Sequence, residues 1–382
     1  MNTCKNILSC RINGQSHLLP YGQGIADHLH AMTTNELGDT LWQMLSEGAG
    51  NEELLGYMRD AFEASDEDLP ILRQDLESYL SELRNHGFLI PEERELPSYD
   101  PLTMEIGGLS INYYGPSALF ETYFSAFSVA ETAISPDQEI FFFHHMPFHA
   151  VNGPVLIRNE EVLIMENASE YIILPQQSNY IFELHCTKDG KHSDVYCAYD
   201  AGASCLQELF LALRFAYLVL AENHELCVIH SASVLYQKKA WLFSGQSGTG
   251  KSTHVALWHD HLGAEYLNGD LNLVGIKNGQ PLCYGLPWCG TSGLYTEKEY
   301  PLGGIVFLKQ SPADMVSKPS GHEAILNLTQ RMITPCWNAS QLQHHLALAE
   351  DLCSRIFVFR LECTKNPSAA YVMKEAVDIA LR

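Results

Sequence analysis

The stretch "WLFSGQSGTGKSTHVALW", residues 241–258, decides the fold of the larger part of this chain. Its residues 245–252 match the pattern G-x-x-x-x-G-K-[ST]. The apolar run before the loop predicts a strand, and "STHVALWHDHL" after it predicts a helix. A strand, a glycine-rich loop and a helix in this order predict a phosphate-binding loop in an α/β domain, with a purely structural glycine-rich turn as the alternative.

Each residue type in this loop meets a need of phosphate binding. Gly245, Gly248 and Gly250 let backbone N–H groups surround an anion without a Cβ clash. The helix that begins at Lys251 directs its positive end at that anion, and the Lys251 ammonium adds charge for the outer phosphates. The Ser252 hydroxyl is a candidate ligand of Mg²⁺. We therefore predict that ATP and Mg²⁺ bind here, and the predicted binding residues are Gly245, Ser247, Gly248, Thr249, Gly250, Lys251, Ser252 and Thr253.

Three stretches together carry a family resemblance: residues 247–252, "VIHSASVLYQKKAWLFSG" before the loop and "GAEYLNGDLNLV" after it. They resemble the HPr kinase family and the phosphoenolpyruvate carboxykinases, which share one nucleotide-binding fold. In those proteins a histidine lies on a hairpin strand that leads into the loop, and a pair of aspartates follows it. The resemblance implies these roles for His230 and Asp270, whereas Leu271 stands in place of the second aspartate.

The predicted catalytic residues are Asp270, His230, Lys251 and Arg331. Asp270 is expected either to hold Mg²⁺ or to accept the proton of an attacking hydroxyl, unless it only caps a turn. His230 is expected to assist that base or to contact the phosphoryl group, with a buried strand histidine as the alternative. Arg331 is a candidate for stabilising charge on the transferred phosphoryl, although a lone arginine is often a surface residue.

A second small-residue loop follows these segments. Residues 287–293, "PWCGTSG", place glycines and hydroxyls together. The stretch is similar to the P-W-x-G stretch of uncharacterised HPr-kinase-like proteins. It is therefore a candidate part of the phosphate or acceptor site.

The N-terminal quarter has a different pattern. "ILSCRINGQSHLLP" predicts a hairpin that turns at Asn13-Gly14, apolar stripes within residues 37–90 predict three helices, and residues 88–90 predict a returning strand. This is a small winged-helix arrangement. A family resemblance is carried by Leu37-Gly38, Leu41-Trp42, the helix start at residues 52–54 and "DLESYLSELRNHGFLI". This segment resembles the PqqD-like domains. That resemblance implies binding of a ribosomally made peptide; a structural or dimerising winged helix is the alternative.

We predict two domains separated by a linker. Residues 1–92 form the PqqD-like winged-helix domain, the proline-rich residues 93–104 form the linker, and residues 105–382 form the HPr-kinase-like P-loop domain. Short β-rich runs within residues 105–200 are expected to build a sheet of the same domain. The predicted fold class is α/β, or α+β overall, with a mixed sheet.

Composition and residue spacing disfavour several classes of partner and site. A formal net charge of −23 disfavours nucleic-acid binding. Scattered cysteines without a CxxC disfavour a zinc knuckle or disulfide scaffold and favour a reducing cytoplasm. His144, His145 and His149 lack nearby carboxylates and are not expected to bind zinc.

Residues 209–221 are too short to span a membrane and contain Arg214, so we expect a buried helix and no membrane. The kinase relatives often assemble, which leaves a homo-oligomer open.

These patterns lead to one leading hypothesis. The chain is expected to be a kinase that uses ATP and Mg²⁺ to phosphorylate a Ser or Thr of a ribosomally made peptide held by the N-terminal domain. Two alternatives stay open: a kinase of a small hydroxylated metabolite, and a nucleotide-gated peptide-binding protein without catalysis.

Overall fold

The structure is a computed structural model that describes residues 2–4, 6–26, 29–90, 96–147 and 153–382. It confirms the predicted mixed α/β fold class, because helices alternate with sheets of both parallel and antiparallel strands. The chain forms two compact units. The first contains Met1–Tyr99, Phe141–His185 and Asp194–Glu208; the second contains Asp100–Ile140, Cys186–Ser193 and Leu209–Arg382.

The N-terminal segment combines a small antiparallel sheet with helices. Its elements are β1 (Asn2–Thr3), β2 (Ile7–Ile12), β3 (Gln15–Pro20), α1 (Gln23–Ala26), β4 (Met32–Thr34), α2 (Glu36–Ser46), α3 (Asn51–Ala61), α4 (Leu69–Asn85) and β5 (Leu89–Ile90). The hairpin between β2 and β3 turns at Asn13 (φ 53°) and Gly14 (φ 83°), as predicted. The returning strand β5 pairs with β1. The hairpin, the three helices and the returning strand predicted for this segment are confirmed, and Gly50 is the N-cap of α3.

One apolar core holds these helices together. Leu72, Leu76, Leu80 and Leu83 form the predicted stripe along α4, and all four side chains are buried. They pack with the buried face of α2, where Leu41, Trp42 and Leu45 lie. Met146 also belongs to this core, so the first unit draws on residues outside the predicted domain 1–92. The predicted domain boundaries stay a prediction.

The middle segment is mostly strands. Its elements are β6 (Leu102–Ile106), β7 (Leu109–Tyr114), α5 (Ser117–Tyr123), β8 (Ser128–Val129), β9 (Gln138–Phe143), β10 (Val155–Arg158), β11 (Val162–Glu166), β12 (Glu170–Pro175), β13 (Ile181–Thr187) and β14 (His192–Cys197). Short 3₁₀ turns also occur at Ser125–Phe127 and at Gly290–Ser292. Strand β6 starts inside the predicted linker 93–104, of which residues 93–95 lie outside the described residues.

The C-terminal segment carries the P-loop. Its elements are α6 (Ala203–Asn223), β15 (Cys227–Tyr236), β16 (Lys239–Ser244), α7 (Lys251–Leu262), β17 (Glu265–Asn268), β18 (Leu271–Lys277), β19 (Gln280–Tyr284), β20 (Tyr300–Gln310), β21 (Met315–Ser317), α8 (Gly321–Thr329), α9 (Ala339–Arg355), β22 (Phe357–Cys363) and α10 (Pro367–Ala380).

The long helix α6 has the length and composition of a membrane span. Its mean hydropathy is 1.5 over an 18-residue window, of which 56% is buried within the fold. The core helix of a soluble protein passes the same test, and this burial agrees with the buried helix predicted for residues 209–221.

The two longest strands of the second unit each pair with three other strands, with one partner at the start of the strand and two along the rest of it. The first residues of β15 pair with β18, and its later residues pair with β16 and β17. Likewise β20 pairs with β19 at its start and then lies parallel to β16 and β22. The pairings β16–β15–β18–β19–β20–β16 therefore close a ring. We call the point where a strand changes its pairing partner a junction. The junctions in β15 and β20 bring together strand ends that are far apart in sequence.

Helices cover both faces of this sheet. Alternation along β16 sends Trp241 and Phe243 to one face, where they pack with α7 and α10. It sends Ala240 and Leu242 to the other face, which packs with α8 and α9. Burial on both faces explains why β16 reads as a continuous apolar run. The P-loop that follows β16 is thereby anchored to a strand that is buried on both faces.

Candidate active site

The P-loop connects β16 to α7, as the sequence predicts. Strand β16 ends at Ser244 and α7 begins at Lys251. Within the loop Gly248 has φ 78° and Gly250 has φ 102°, a backbone region that side chains rarely adopt. These glycines turn the chain so that the helix begins directly at the lysine, and its amino end faces the loop.

Side chains hold the loop in this shape. Thr249 Oγ1 donates a hydrogen bond to the Gln246 carbonyl at 2.7 Å, and Gln310 Nε2 donates to the Gly248 carbonyl at 2.9 Å. A Cβ at Gly245 would lie 2.7 Å from Thr249 Oγ1 and 3.1 Å from the Leu308 carbonyl oxygen. Gly245 is therefore required by close packing. The predicted residues Ser247, Ser252 and Thr253 are all exposed at the mouth of this loop.

Lys251 folds back over the loop. Its Nζ donates to the Gly245 carbonyl at 3.5 Å. Partial burial lowers the pKa of Lys251; the carboxylate of Asp270 opposes this shift, and the Arg331 guanidinium adds to it. Asp270 and Arg331 thus both lie within electrostatic reach of the P-loop lysine.

His230 lies where three segments meet. It is the last residue of β15 that pairs with β18, opposite Leu271, and the next residue, Ser231, pairs with Ser244 at the end of β16. The His230 carbonyl accepts a hydrogen bond from Ser244 Oγ at 2.7 Å, and its backbone N–H donates to the Arg331 carbonyl at 2.8 Å. The junction in β15 therefore brings the P-loop, Asp270 and Arg331 to one histidine.

His230 and Asp270 form a hydrogen-bonded pair. The distance from His230 Nε2 to Asp270 Oδ1 is 3.1 Å, and their side chains are 33% and 36% exposed, so solvent and a substrate can reach them. The pKa of Asp270 lies below its ordinary value chiefly because His230 hydrogen-bonds to the carboxylate. Burial works against this shift, while the charges of His230, Lys251 and Arg214 add to it. Asp270 is accordingly a carboxylate at neutral pH.

A bend between two strands presents Asp270. Strand β17 ends at Asn268, and Asp270 lies in the bend before β18. The cap of this bend is Asn268, whose Oδ1 accepts hydrogen bonds from the backbone N–H groups of Asp270 and Leu271 at 2.9 and 3.0 Å. Because Asn268 caps the turn, the Asp270 side chain is available for another role.

The predicted second loop packs directly on this bend. A Cβ at Gly269 would lie 2.0 Å from Ser292 Oγ, and one at Gly290 (φ 64°) would lie 2.9 Å from the Asp270 Cβ. The Gly269 N–H donates to the Leu294 carbonyl at 3.2 Å. Residues 287–293 thus form one side of the candidate site, and only glycine fits at the closest approach.

Arg214 lies within electrostatic reach of Asp270, which the sequence did not predict. Its guanidinium lowers the pKa of Asp270, although 56 residue positions separate the two in the chain. The signal was visible, because Arg214 is a single charge within the apolar run 209–221 and a half-buried cation needs a partner. What the sequence could not supply was the identity of that partner.

Leu271, where the resemblance implies a second aspartate, is buried. Leu271 is 3% exposed and begins β18. Within the residues that the structure describes, no three His, Cys, Asp or Glu side chains form a metal-binding group. Ser252 and Asp270 still offer the hard oxygen ligands that Mg²⁺ prefers, and Mg²⁺ usually completes its shell with phosphate oxygens and water. The residues present therefore fit a nucleotide-bound Mg²⁺.

His144 and His145 have partners of their own within the first unit. His144 Nε2 contacts the Tyr99 hydroxyl at 2.5 Å, and His145 Nδ1 contacts the Met146 carbonyl at 2.7 Å. Burial lowers the pKa of both imidazoles. His149 lies outside the described residues.

Comparisons with known proteins add little to this geometry. No protein-family model and no curated protein sequence matches the chain. Among solved structures, it is similar to the HPr(Ser) kinase/phosphatase from Coxiella burnetii, with 12% identity and a TM-score of 0.24 over 40% of this chain and 96% of that chain. A likeness of this size identifies neither a family nor an activity, and none of these comparisons supports the PqqD-like resemblance.

Proposed function

We propose that this chain is a phosphotransferase that uses ATP and Mg²⁺ to phosphorylate a hydroxyl group, most specifically a Ser or Thr of a peptide held by the N-terminal segment. One observation carries the proposal. Asp270 is ionised, partly exposed and hydrogen-bonded to His230, and it lies within electrostatic reach of the P-loop lysine, Lys251. A P-loop accounts for nucleotide binding, and a carboxylate beside it accounts for activation of an acceptor.

The proposed transfer uses these residues in a simple order. The P-loop backbone and Lys251 bind the triphosphate, and Arg331 adds positive charge near Lys251. Asp270 accepts the proton of the acceptor hydroxyl, whose oxygen forms a bond to the γ-phosphorus as the bond to the β-phosphate oxygen breaks and ADP leaves. His230 orients Asp270. Mg²⁺, when held by Ser252 and Asp270, would neutralise phosphate charge.

The peptide acceptor is supported by the N-terminal hairpin. Strand β2 pairs with β3 and forms one edge of the described three-stranded sheet. Its Ser9 and Arg11 contact Asp39 and Glu36 of α2, whereas Leu8 and Ile12 are 53% and 48% exposed. An edge with exposed apolar side chains suits a peptide that adds as a further strand. Such tethering would raise the local acceptor concentration to about the millimolar range.

The test uses labelled ATP, Mg²⁺ and Ser/Thr peptides encoded near this protein's gene. We expect label on a hydroxyl of one peptide, loss of that label in Lys251→Ala, and weaker labelling at limiting peptide in Leu8→Lys. Labelling of small hydroxylated metabolites, with every peptide unlabelled, would contradict the peptide acceptor. Failure to bind nucleotide at millimolar concentrations with Mg²⁺ would contradict the whole proposal.

One observation favours a non-catalytic alternative. Leu271 is buried where the kinase relatives carry a second aspartate, so the metal and base roles fall to Asp270 alone. A protein that binds ATP and peptide without transfer would fit this arrangement. Nucleotide binding without label on any acceptor would select that alternative.

A further inference from the structure

We propose that the exposed side chains of Leu294 and Tyr295 form an apolar subsite for the acceptor, which selects a peptide whose Ser or Thr has a large apolar residue within two positions of it. This inference rests on the proposed function and names the acceptor more narrowly. It concerns the two residues that directly follow the second loop, residues 287–293.

The first support is the contact of this segment with the bend that carries Asp270. The Gly269 N–H donates a hydrogen bond to the Leu294 carbonyl at 3.2 Å, so Leu294 lies beside the residue that precedes Asp270. A Cβ at Gly290 would lie 2.9 Å from the Asp270 Cβ. Each residue of an extended peptide advances about 3.3 Å. A Ser or Thr hydroxyl that reaches Asp270 therefore brings the neighbouring peptide residues within reach of Leu294 and Tyr295.

The second support is that the segment is held in place. A Cβ at Gly285 would lie 2.1 Å from the Thr296 carbonyl oxygen, so the start and the end of this loop are in direct contact. The Tyr295 ring stacks on the buried Phe127 ring, with centroids 5.9 Å apart. A surface that is already ordered loses little conformational entropy when it binds a ligand. Tyr295 is therefore preorganised for apolar contact.

The third support is the exposure and the lack of charge of the segment. Leu294 and Tyr295 are each 41% exposed, although both side chains are large and mainly apolar. Residues 290–295 are all exposed and none of them is charged, in a chain in which 18% of the residues are charged. Single exposed apolar residues are common on protein surfaces. These two are adjacent and border the proposed base, so they offer the acceptor apolar contact rather than ion pairs.

The test uses heptapeptides with a central Ser, whose neighbouring residues are Leu or Phe in one set, Gly in a second set and Lys or Glu in a third set. With labelled ATP and Mg²⁺, we expect kcat/KM for the apolar set to exceed that for the charged set about fivefold to tenfold, the low end of what apolar contacts contribute to discrimination. Leu294→Ser and Tyr295→Ser should each lower this preference about twofold or more, mainly through KM, because neither side chain is proposed to touch the transferred phosphoryl group.

The matched controls are Leu326→Ser and Tyr371→Ser. These two side chains are 52% and 51% exposed, and they lie on α8 and α10. Both control variants should keep the wild-type preference, because the loss of an exposed apolar side chain elsewhere does not change contact with the acceptor.

A second readout does not require transfer. Protein labelled with fluorotyrosine gives a ¹⁹F NMR signal for Tyr295, which is assigned by its absence in Tyr295→Phe. With a non-hydrolysable ATP analogue and Mg²⁺ added, we expect this signal to shift with the apolar set of peptides and to stay unmoved with the charged set.

The outcomes separate this inference from the proposed function. Equal transfer to all three sets, or an unchanged preference in both Leu294→Ser and Tyr295→Ser, overturns the apolar subsite and leaves the kinase proposal standing. If neither these peptides nor those encoded near the gene are labelled, but the Tyr295 signal shifts with the apolar set, the kinase proposal fails while the subsite stands. No label together with no shift overturns both.

Discussion

The proposed nucleotide side and the proposed acceptor side of the candidate site are built in opposite ways. The proposed nucleotide side is a single run, residues 245–252, shaped by its own glycines and held by Thr249 and Gln310. The proposed acceptor side is collected from distant segments that carry His230, Asp270 and Arg331. The first depends on local backbone conformation, whereas the second depends on the junction in β15. Mutations should therefore separate nucleotide binding from phosphoryl transfer.

The largest separation is expected for Asp270→Asn. Removal of the proposed base should lower the transfer rate about 10²–10⁴-fold, the usual share of general base catalysis. Binding of ATP should change little, because the P-loop does not use this side chain for its shape. Steady-state transfer and equilibrium binding of a fluorescent ATP analogue measure the two effects. Asp260→Asn on the exposed end of α7 is the control.

Lys251→Ala should affect both sides. Loss of the ammonium removes charge from the bound phosphates, and we expect transfer to fall about 10²–10³-fold with weaker nucleotide binding. The same two measurements apply, and Lys277→Ala, which removes a lysine exposed near Glu299, should behave as wild type. Undiminished transfer in Lys251→Ala would break the comparison, since the P-loop would then not be the nucleotide side.

Gly290→Ala should damage the acceptor side alone. The new Cβ would lie 2.9 Å from the Asp270 Cβ at a residue with φ 64°, so the loop or the bend must move. We expect transfer to fall about tenfold or more, since small displacements of positioned groups are costly. Gly293→Ala is a matched control, because Gly293 has φ 65° with no atom within 4 Å of the added Cβ. Equal losses in both variants would point to backbone strain rather than to contact with Asp270.

The smallest expected effect is a shift in pH dependence for His230→Gln. His230 is the main cause of the lowered pKa of Asp270, so its removal raises that pKa. A carboxylate with a lowered pKa contributes in its ionised form above that pKa and loses the contribution as pH falls through it. The acid limb of the transfer profile should therefore move to higher pH. An unmoved limb would show that the 3.1 Å contact does not act on Asp270 in solution.

The P-loop could be predicted from the sequence because each of its properties is local. The motif, the apolar run of β16 and the helical pattern of α7 all occur within some twenty residues, and all three are confirmed. The hairpin at Asn13-Gly14 and the stripe of leucines in α4 were predictable for the same reason. Asp270 and His230 came from the family resemblance, and their pairing followed only from the register of β15 with β18.

Other features depended on long-range packing. Arg214 was visible as a charge in an apolar helix, but nothing local connects it to Asp270. A turn cap was the alternative role considered for Asp270, and the bend is capped by Asn268 instead, whose Oδ1 accepts hydrogen bonds from the backbone N–H groups of Asp270 and Leu271. The grouping of residues 141–185 with the N-terminal segment also lies beyond sequence reasoning, since it depends on contacts such as that of Met146 with the helical core.

The sequence by itself determined a phosphate-binding loop between a strand and a helix, the mixed α/β class and the helical stripes of the N-terminal segment. Those features follow from backbone preferences and apolar periodicity, which act over a few residues. Only the tertiary structure decided that His230 pairs with Asp270 and that Asp270 and Arg331 lie within electrostatic reach of Lys251. That arrangement depends on β15 changing partners at His230, which arises from contacts between segments far apart in the chain.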